Sequence, residues 1–448
     1  MRVLVIGAGI GGLTLAQGLR REGVDVVVYE RDGPDGRPQG ISLHLDDRGT
    51  TALRACLPPS HAEMVAATTG GPREQALTLS EVDGELAVAG ARPLDGPARP
   101  GRQTHRPLLR AVLLTGLADV VRFGSRFTRC ERQPGGTVKV WFADGRTDTA
   151  DVLVGADGIG SAVRGACLPD VRVVDTGRRM LMGATPLRAV AGTGLPGLIG
   201  HSATRVESGG RTMVLGVLRF TRPPSVARRE LLPAMDSRVV AEAEDYVMWA
   251  LPTEQHRLAS AGSPAGLWRA AGELAAGMHP TLRLIVASGW PEVTAGLRIG
   301  TIPAMPAWPP GPVTLLGDAI HLAPGFGGNL AMRDAHRLRD ALLTAHRGEQ
   351  DLATAIGGYE ETMRGDSFPP AADSAAGGSA GSVPVGSAPA GSVPRGSARV
   401  GSAPRGSAPT GSAHTGSAPA RPAPASSAPG VAPAAGSQSA GPVGTGAE

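Results

Sequence analysis

The sequence predicts an α/β protein in which a parallel sheet is combined with an antiparallel sheet and followed by a disordered tail. Three observations support this fold class. Short β-branched runs, each followed by a Gly-rich turn and a helical stretch, occur at the start, near residue 155 and near residue 316. Apolar runs of strand length fill the region between the last two turns. A five-residue repeat of the type GSAPA begins at Gly381.

The N-terminus predicts a strand, a turn, a helix and a second strand in that order. Residues 2–6 are β-branched and apolar, residues 13–22 have helical composition, and residues 25–29 (DVVVY) form the next strand. The turn between the first strand and the helix is GAGIGG, at residues 7–12. This order is typical of the first unit of a nucleotide-binding parallel sheet.

The Gly-rich turn has the spacing of a dinucleotide site. Gly7 permits the tight turn, Gly9 lets a pyrophosphate approach the backbone, Gly11 belongs to the same turn, and Gly12 lets helix and strand pack closely. The helix N-terminus offers free N–H groups to phosphates. Glu30 ends the second strand, where a carboxylate accepts hydrogen bonds from a ribose and disfavours a 2′-phosphate. A Gly-rich turn without a ligand is the alternative; the complete order of elements favours FAD or NAD.

Two later stretches repeat the pattern of an apolar strand followed by a polar turn. In residues 151–164 (DVLVGADGIGSAVR) the turn contains Asp157 and Gly158, and Ser161 is placed to cap a helix. In residues 317–329 (GDAIHLAPGFGGN) an acid, a histidine and a Gly/Pro cluster follow the strand.

Together these three ordered motifs resemble the FAD-dependent monooxygenases of the p-hydroxybenzoate hydroxylase type. These are aromatic and polyketide hydroxylases, and they include the tetracycline-modifying monooxygenases. The resemblance extends from Met1 to about Arg364. It implies a Rossmann-like FAD-binding domain in two parts, residues 1–172 and 301–368. An antiparallel-sheet substrate domain is expected at residues 173–300, and a disordered tail at residues 369–448.

The resemblance assigns the third turn to the flavin. Gly317 and Asp318 match the family's "GD" turn, whose carboxylate hydrogen-bonds the FAD ribitol. Gly328 and Asn329 lie where a helix is expected to begin, with its positive end towards flavin N1 and C2=O. The alternative for Asp318 is an ordinary helix-capping acid. His321 is expected to pack and hydrogen-bond locally.

Further cofactor contacts are implied by single matching positions. Asp157 and Gly158 match the "DG" turn near the pyrophosphate, which is also associated with NAD(P)H use. Arg106, before Pro107 at the first position of a predicted helix, matches an arginine that touches the flavin or its phosphates. Arg31 is assigned to the same site, and Arg37 occupies the loop that sends an arginine towards flavin or NADPH. The alternatives are a surface turn and solvated arginines.

One departure from the family pattern concerns the flavin loop. Residues 324–329 (PGFGGN) are about three residues shorter than the corresponding family loop, which predicts an altered contact with the flavin ring. In the substrate half, four large residues on predicted strands are candidates to line the pocket, with plain core as their alternative role. These residues are Met182, Met213, Met248 and Trp249.

The resemblance implies that FAD is reduced by NADPH or NADH and that O2 is used, through a flavin C4a-hydroperoxide, to hydroxylate an aromatic or polyketide-like small molecule. No catalytic side chain is singled out, because the cofactor carries the chemistry. A reductase or oxidase without oxygen insertion, and a catalytically weak flavoprotein with an interaction tail, remain alternatives. A flavin-dependent halogenase is disfavoured because the chain lacks a W-x-W-x-I-P stretch.

Composition narrows the remaining classes. The 448 residues carry a formal charge of +4, and the tail holds four of the arginines, so no basic face for nucleic acid is expected. Three cysteines without a C-x-x-C pair indicate neither a disulfide framework nor a metal site. The N-terminal glycines would break a signal-peptide helix, and no apolar run suggests membrane insertion. The cytoplasm is therefore expected, and nothing in the sequence distinguishes a monomer from a dimer.

Overall fold

The computed structural model describes residues 1–36, 39–95, 99–259, 261–303, 305, 307–323 and 327–367. Three sequence predictions lie outside these residues: the role of Arg37, the conformation of the loop at 324–326, and the disorder of the tail from residue 369.

The strands of the described residues form four sheets. They are β1 (Arg2–Ile6), β2 (Asp25–Tyr29), β3 (Ser42–Asp46), β4 (Thr69–Arg73), β5 (Gln75–Val82), β6 (Glu85–Pro93), β7 (Gly101–His105), β8 (Val121–Arg122), β9 (Phe127–Arg132), β10 (Val138–Phe142), β11 (Thr147–Ala150), β12 (Val152–Gly155), β13 (Val174–Pro186), β14 (Ala203–Ser208), β15 (Arg211–Leu218), β16 (Tyr246–Glu254), β17 (Ala295–Thr301) and β18 (Val313–Leu315).

The helices follow the same chain order. They are α1 (Ile10–Arg21), α2 (Asp47–Cys56), α3 (Pro59–Ala67), α4 (Arg106–Leu114), α5 (Ala162–Cys167), α6 (Leu187–Val190), α7 (Leu195–Ile199), α8 (Pro224–Leu231), α9 (Arg238–Ala241), α10 (Pro264–Ala275), α11 (Pro280–Ala287), α12 (Gly327–His346) and α13 (Leu352–Ser367).

The first sheet is parallel throughout and has the order β18-β12-β1-β2-β8. Val3, Leu4 and Val5 of β1 have no exposed surface, because this central strand is covered on both faces. Helix α1 packs against α12, α2 and α4 on one side of the chain's largest core. The α/β class predicted from the alternation of apolar runs and Gly-rich turns is confirmed.

The second large sheet has seven strands in the order β17-β13-β16-β15-β14-β5-β6. All neighbours are antiparallel except β14 and β5, which pair in parallel. The antiparallel sheet expected for this half of the chain is therefore confirmed, and β14–β5 is its one parallel pair among the described strands. The cause is that β5 and β6 come from residues 75–93, far upstream of the other strands, and the hairpin adds at the edge in the direction that its long connection imposes.

The two faces of this sheet separate the four residues proposed to line the pocket. Trp249 and Met213 have no exposed surface and belong to a core that the sheet forms with α10 and α11. Of the two roles that the sequence left open, pocket lining and plain core, the structure supports plain core for both residues. Successive residues of a strand point to opposite faces. Met248 therefore lies on the other face with Tyr246, and Met182 of β13 lies on that face as well; both methionines are half-buried.

A small antiparallel sheet with the order β3-β7-β4 connects the two larger sheets. Its central strand β7 contacts β15 of the seven-stranded sheet and leads directly into α4. A second small sheet, β11-β10-β9, packs on the core of the parallel sheet through Val138, Val140 and Phe142. None of the helices in the described part of the chain combines the length and apolar character needed to cross a bilayer.

Candidate functional site

The predicted site residues emerge at one edge of the parallel sheet. Gly7 follows β1, Glu30 follows β2, Asp157 follows β12, and Asp318 follows β18. Because these four strands are parallel neighbours, their carboxyl ends meet at the same edge. Turns that are far apart in sequence are therefore brought side by side by the sheet.

The glycines of the first turn differ in what surrounds them. Gly7 has φ of +111°, and a Cβ there would lie 2.4 Å from the carbonyl oxygen of Ala156. A Cβ on Gly12 would lie 2.1 Å from the Gly7 carbonyl oxygen, and one on Gly11 would lie 2.7 Å from Leu316. A Cβ on Gly9 would meet nothing within 4 Å. The turn is thus closed by backbone packing and open at Gly9, as a site for pyrophosphate requires.

The N-terminus of α1 carries no side-chain cap, so its first N–H groups face the opening at Gly9. The Glu30 carboxylate is held beside this turn, since Oε2 accepts a hydrogen bond from the Ala8 N–H at 2.7 Å and Oε1 accepts one from the Asp32 N–H at 2.9 Å. Arg31 is half-buried, and its Nε lies 4.0 Å from an Asp32 carboxylate oxygen. The Glu30 carboxylate is therefore fixed beside the Gly-rich turn.

Arg110 is a residue of this site that the sequence prediction missed. Its Nε donates to the Ala8 carbonyl oxygen at 3.3 Å, and its Nη1 donates to the Pro34 carbonyl oxygen at 2.8 Å. Burial lowers the pKa of Arg110, with Glu30 acting in the opposite direction. The available signal was its spacing of four residues from Arg106 on α4, which places both arginines on one helix face.

One carboxylate oxygen of Asp157 caps helix α5. Its Oδ2 accepts hydrogen bonds from the Ala162 N–H at 2.7 Å and the Val163 N–H at 3.3 Å, at the start of α5. The predicted cap by Ser161 is also present, with Oγ 2.9 Å from the Arg164 nitrogen. The second carboxylate oxygen of Asp157, Oδ1, is buried and has no hydrogen-bond partner among the described residues. It is available to a polar group that the chain itself does not supply.

Asp318 is exposed and yet closely surrounded by protein, from which we infer that it lies in an open cleft. Its side chain has an exposed surface, yet the surrounding protein desolvates the carboxyl and raises its pKa, while His321 and Arg106 act in the opposite direction. Both observations hold for a group that is surrounded by protein and open on one side. A Cβ on Gly327, the first residue of α12, would lie 2.6 Å from the Asp318 Oδ1. The carboxylate is therefore next to the N-terminus of a 20-residue helix.

Arg106 is near Asp318 and connects this cleft to the seven-stranded sheet. Its guanidinium donates to the Gln39 carbonyl oxygen at 3.1 Å and to the Gln39 side chain at 2.7 Å, and burial lowers its pKa. Its backbone N–H donates to the Ile41 carbonyl oxygen at 2.8 Å. The Tyr246 hydroxyl points at the same carbonyl oxygen at 3.4 Å, so Arg106 sits between the two halves of the molecule.

Asp334, on α12, holds the third turn and was not predicted. It has no exposed surface, and its Oδ2 accepts from the Gly317 N–H at 3.1 Å and lies 2.5 Å from the His321 Nε2. Burial opposes ionisation of Asp334, but His321 and Arg333 hold its pKa below the ordinary value. The local role expected for His321 is confirmed by this contact.

The structure adds two details to what the sequence predicted for the start of α12. The helix begins at Gly327, two residues before the position expected from the sequence. The Asn329 side chain has no exposed surface and is hydrogen-bonded to β3: its Oδ1 accepts from the Asp46 N–H at 3.0 Å, and its Nδ2 donates to the His44 carbonyl oxygen at 2.7 Å. Gly328 packs against Leu43. These two residues can meet a ligand through their backbone, and the Asn329 side chain cannot.

Comparisons with known proteins agree with this geometry. Residues 5–36 match the family model of the NAD(P)-binding Rossmann-like domain. A dual O-methyltransferase/FAD-dependent monooxygenase of Phaeosphaeria nodorum is 30% identical over 399 residues, which is 80% of this chain and 42% of that protein. The FAD-dependent urate hydroxylase of Klebsiella pneumoniae is 29% identical over 80% of this chain and 85% of its own length.

This chain is a homologue of FAD-dependent monooxygenases. Among solved structures, Klebsiella pneumoniae HpxO in complex with FAD and uric acid superposes with a TM-score of 0.63 at 26% identity, covering 82% of this chain and 85% of that one. The chain spans less than half of the length of the fungal relatives that it matches, at 42% to 44%.

The carboxyl edge of the parallel sheet offers groups that suit FAD at two places. The opening at Gly9, the uncapped α1 and the unpartnered Oδ1 of Asp157 provide a turn, N–H groups and an acceptor for the dinucleotide end. Asp318 in its cleft and the N-terminus of α12 provide an acceptor and a positive dipole end further along the same edge. The residues present therefore fit an extended dinucleotide.

Proposed function

We propose that this protein is an FAD-dependent monooxygenase that uses NADPH or NADH and O2 to hydroxylate an aromatic or polyketide-like small molecule. The observation that carries the proposal is the position of Asp318, in an open cleft beside the N-terminus of α12 and Arg106, at the sheet edge that also holds the open Gly9 turn. The class of reaction, oxygen insertion by an FAD-dependent enzyme, is that of its homologues.

In this proposal the dinucleotide lies along the carboxyl edge of the parallel sheet. The N–H groups of the turn at Gly9, Gly11 and Gly12 bind the pyrophosphate. Glu30 accepts from the ribose, for which each of its oxygens has lone pairs beyond the one that binds a backbone N–H. Asp318 accepts from the ribitol hydroxyls.

When bound, FAD reduced by the nicotinamide reacts with O2 and supplies the oxygen atom that the substrate receives. The N-terminus of α12 places its positive dipole end near the flavin, which favours the anionic reduced state. Arg106 adds a fixed positive charge beside Asp318. In this proposal the face of the seven-stranded sheet that carries Tyr246, which meets Arg106 through the Ile41 carbonyl oxygen, shields the reacting atoms from water on that side.

We propose the same division of the chain that the sequence indicated, with residues 1–172 and 301–368 binding the cofactor and residues 173–300 binding the substrate. Met182 and Met248, on the face of the seven-stranded sheet shared with Tyr246, line the substrate chamber. The three cysteines are all unpaired, which supports a reducing compartment such as the cytoplasm.

The test is a purified protein examined for bound flavin, then for oxygen insertion. An FAD spectrum is expected, followed by oxidation of NADPH or NADH that is stimulated by aromatic compounds of increasing ring number. Mass spectrometry should find one added oxygen atom in the product, derived from labelled O2. Nicotinamide oxidation that yields only hydrogen peroxide for every compound would instead make the protein an oxidase, and absence of flavin after reconstitution with FAD would refute the proposal.

A further inference from the structure

Strand β6 forms one edge of the seven-stranded sheet. Among the described strands it hydrogen-bonds to β5 alone, so its other side presents a row of unpaired backbone N–H and C=O groups. The strand has nine residues, which is longer than the roughly five to six typical of strands. A free edge of this length is a template for pairing with another chain.

The side chains of β6 are also uncovered. Eight of its nine residues are exposed, and the remaining one, Leu86, is half-buried. Val88 is 47% exposed, and Val82, beside the turn of the same hairpin, is 54% exposed. Because so little of β6 is buried, the strand is held mainly by its backbone pairing with β5. A further strand on the outer side would supply backbone hydrogen bonds and cover part of this apolar surface.

Two charged residues stand near opposite ends of this strand, and the residues between them are uncharged. Glu85 is the first residue of β6, and Arg92 is the last but one. Both side chains are exposed. The strand therefore carries a negative charge at its start and a positive charge at its end, with Ala, Gly, Leu and Val between them.

A bulge brings the two charges to the same face of the sheet. Glu85 lies opposite Val82 of β5, and Arg92 lies opposite Ala76. These two partners are an even number of residues apart, and side chains alternate between the faces of a strand, so Glu85 and Arg92 share a face. Counted along β6 their separation is odd, and the extra residue is taken up by an irregularity in the pairing with β5.

These charges are complementary to a second copy of the same strand when the two copies run antiparallel. Glu85 of one copy then lies beside Arg92 of the other, and the twofold axis repeats this contact at the other end of the strand. Parallel pairing would instead bring like charges together, which is destabilising. The charge pattern therefore selects one orientation of the partner.

We propose that the outer edge of β6 is a homodimer interface, in which the β6 strands of two copies pair antiparallel and join their seven-stranded sheets. The partner is a second copy of this chain, held by backbone hydrogen bonds and by two ion pairs between Glu85 and Arg92. The nine residues of β6 are fewer than the roughly 20–30 that a standard interface uses on each side. The dimer therefore dissociates on dilution through the micromolar range.

The test is sedimentation velocity of the full chain over a concentration series, in which the wild type should shift from monomer to dimer. Glu85→Arg and Arg92→Glu should each weaken the dimer by about tenfold or more, because each replaces two attractive contacts by two repulsive ones. The double variant restores opposite charges at both contacts and should dimerise like the wild type. Glu63→Arg, at an exposed position of α3, is the matched control and should change nothing.

Hydrogen exchange locates the interface on the chain. The backbone amides of residues 85–93 should exchange more slowly above the dissociation constant than below it, in the wild type and in the double variant. Circular dichroism should show that every variant is folded, since both substituted side chains are exposed. A protein that stays monomeric at all concentrations, a dimer that tolerates the single charge reversals, a double variant that does not recover, or unchanged exchange at 85–93 would each overturn the inference.

Discussion

The Arg164 guanidinium donates a hydrogen bond of 2.7 Å from Nη1 to the carbonyl oxygen of Ala319, which lies 155 residues later in the chain. Nη2 donates to the Ile159 carbonyl oxygen at 2.9 Å, and the side chain is only 6% exposed. One buried arginine therefore joins the turn that contains Asp157 to the turn that contains Asp318. The relative position of the two proposed cofactor contacts depends on this bridge.

Arg164→Leu should destabilise the protein by about 1.5–3 kcal/mol, the usual cost of losing a hydrogen bond made by a charged group. FAD affinity should fall as well, because the turn at Asp318 loses its support. Urea unfolding and FAD titration measure the two effects. Arg229→Leu, at an exposed position of α8, should change neither; a bridge variant that behaves like this control would show that the contact is dispensable.

Gly9→Ala should leave the fold intact and weaken FAD binding by at least about tenfold, or 1.4 kcal/mol. The backbone at Gly9 is extended, with φ of −79° and ψ of 179°, and a Cβ would meet no protein atom within 4 Å. The added methyl would instead occupy the space proposed for the pyrophosphate. The free energy of unfolding, measured by thermal denaturation, should change by less than about 1 kcal/mol. Retention of wild-type FAD affinity would show that the pyrophosphate binds elsewhere.

Gly12→Ala should have the opposite profile. Its Cβ would lie 2.1 Å from the Gly7 carbonyl oxygen, which is backbone and cannot move without displacing α1 from β1. We expect loss of soluble folded protein or a decrease in unfolding free energy of about 3 kcal/mol or more, by the mechanism of core overpacking. Circular dichroism and urea unfolding measure it, and near-wild-type stability would contradict the close approach of helix and strand.

Asp318→Asn should lower FAD affinity by about tenfold, the cost of a charge-assisted hydrogen bond replaced by a neutral one. The amide has nearly the same volume, so the fold should be retained. Asp170→Asn removes an exposed carboxylate and serves as the control. Fluorescence titration with FAD gives both dissociation constants, and equal values for the two variants would mean that Asp318 only caps the turn.

Glu360 predicts a pH dependence of stability. This residue of α13 is 1% exposed, and burial raises the pKa of Glu360 from 4.5 to about 7, against the opposing effects of Thr314, Trp308 and Arg364. A raised folded-state pKa means that stability is full below the unfolded value and is lost as pH rises through the folded value. The contribution of Glu360 should therefore decline between pH 4.5 and about 7 and stay constant above that.

Glu360→Gln removes this titration. The unfolding free energy of the variant relative to the wild type should increase between about pH 5 and about pH 8, as measured by urea unfolding at each pH. Glu361→Gln changes the exposed neighbour on the same helix and should show no such trend. A wild-type protein whose stability relative to Glu360→Gln is independent of pH would show that this carboxyl is not held in its neutral form.

Local patterns were sufficient for the strands. The stretches 2–6 and 25–29 were predicted with the bounds that β1 and β2 have, because β-branched apolar runs between turn residues leave little choice. Helix starts were less accurate. α1 begins at Ile10, three residues before the predicted start, because Gly11 and Gly12 are used inside the first helical turn for close packing.

Sequence reasoning also identified Ser161 as a cap and Asp157 as part of the second turn. It did not reveal that the Asp157 Oδ2 caps the same helix, nor that the Asn329 side chain is hydrogen-bonded to β3. Both facts depend on which backbone N–H groups come within about 3 Å, a matter of three-dimensional position that residue type and spacing leave undetermined. The same limit explains why the sequence left two roles open for Trp249 and Met213, pocket lining and plain core, since an apolar residue on a strand can lie on either face.

By itself, the amino-acid sequence determined the class of fold and the Gly-rich turn with its acid at Glu30, since these follow from local spacing along the chain. The flavin monooxygenases entered through the resemblance of its three motifs to that family. Only the tertiary structure decided which polar groups meet: Arg164 with Ala319, Asp334 with His321, and Asn329 with Asp46. The physical reason is that contacts between residues a hundred or more positions apart are set by sheet order and packing, and no local pattern encodes them.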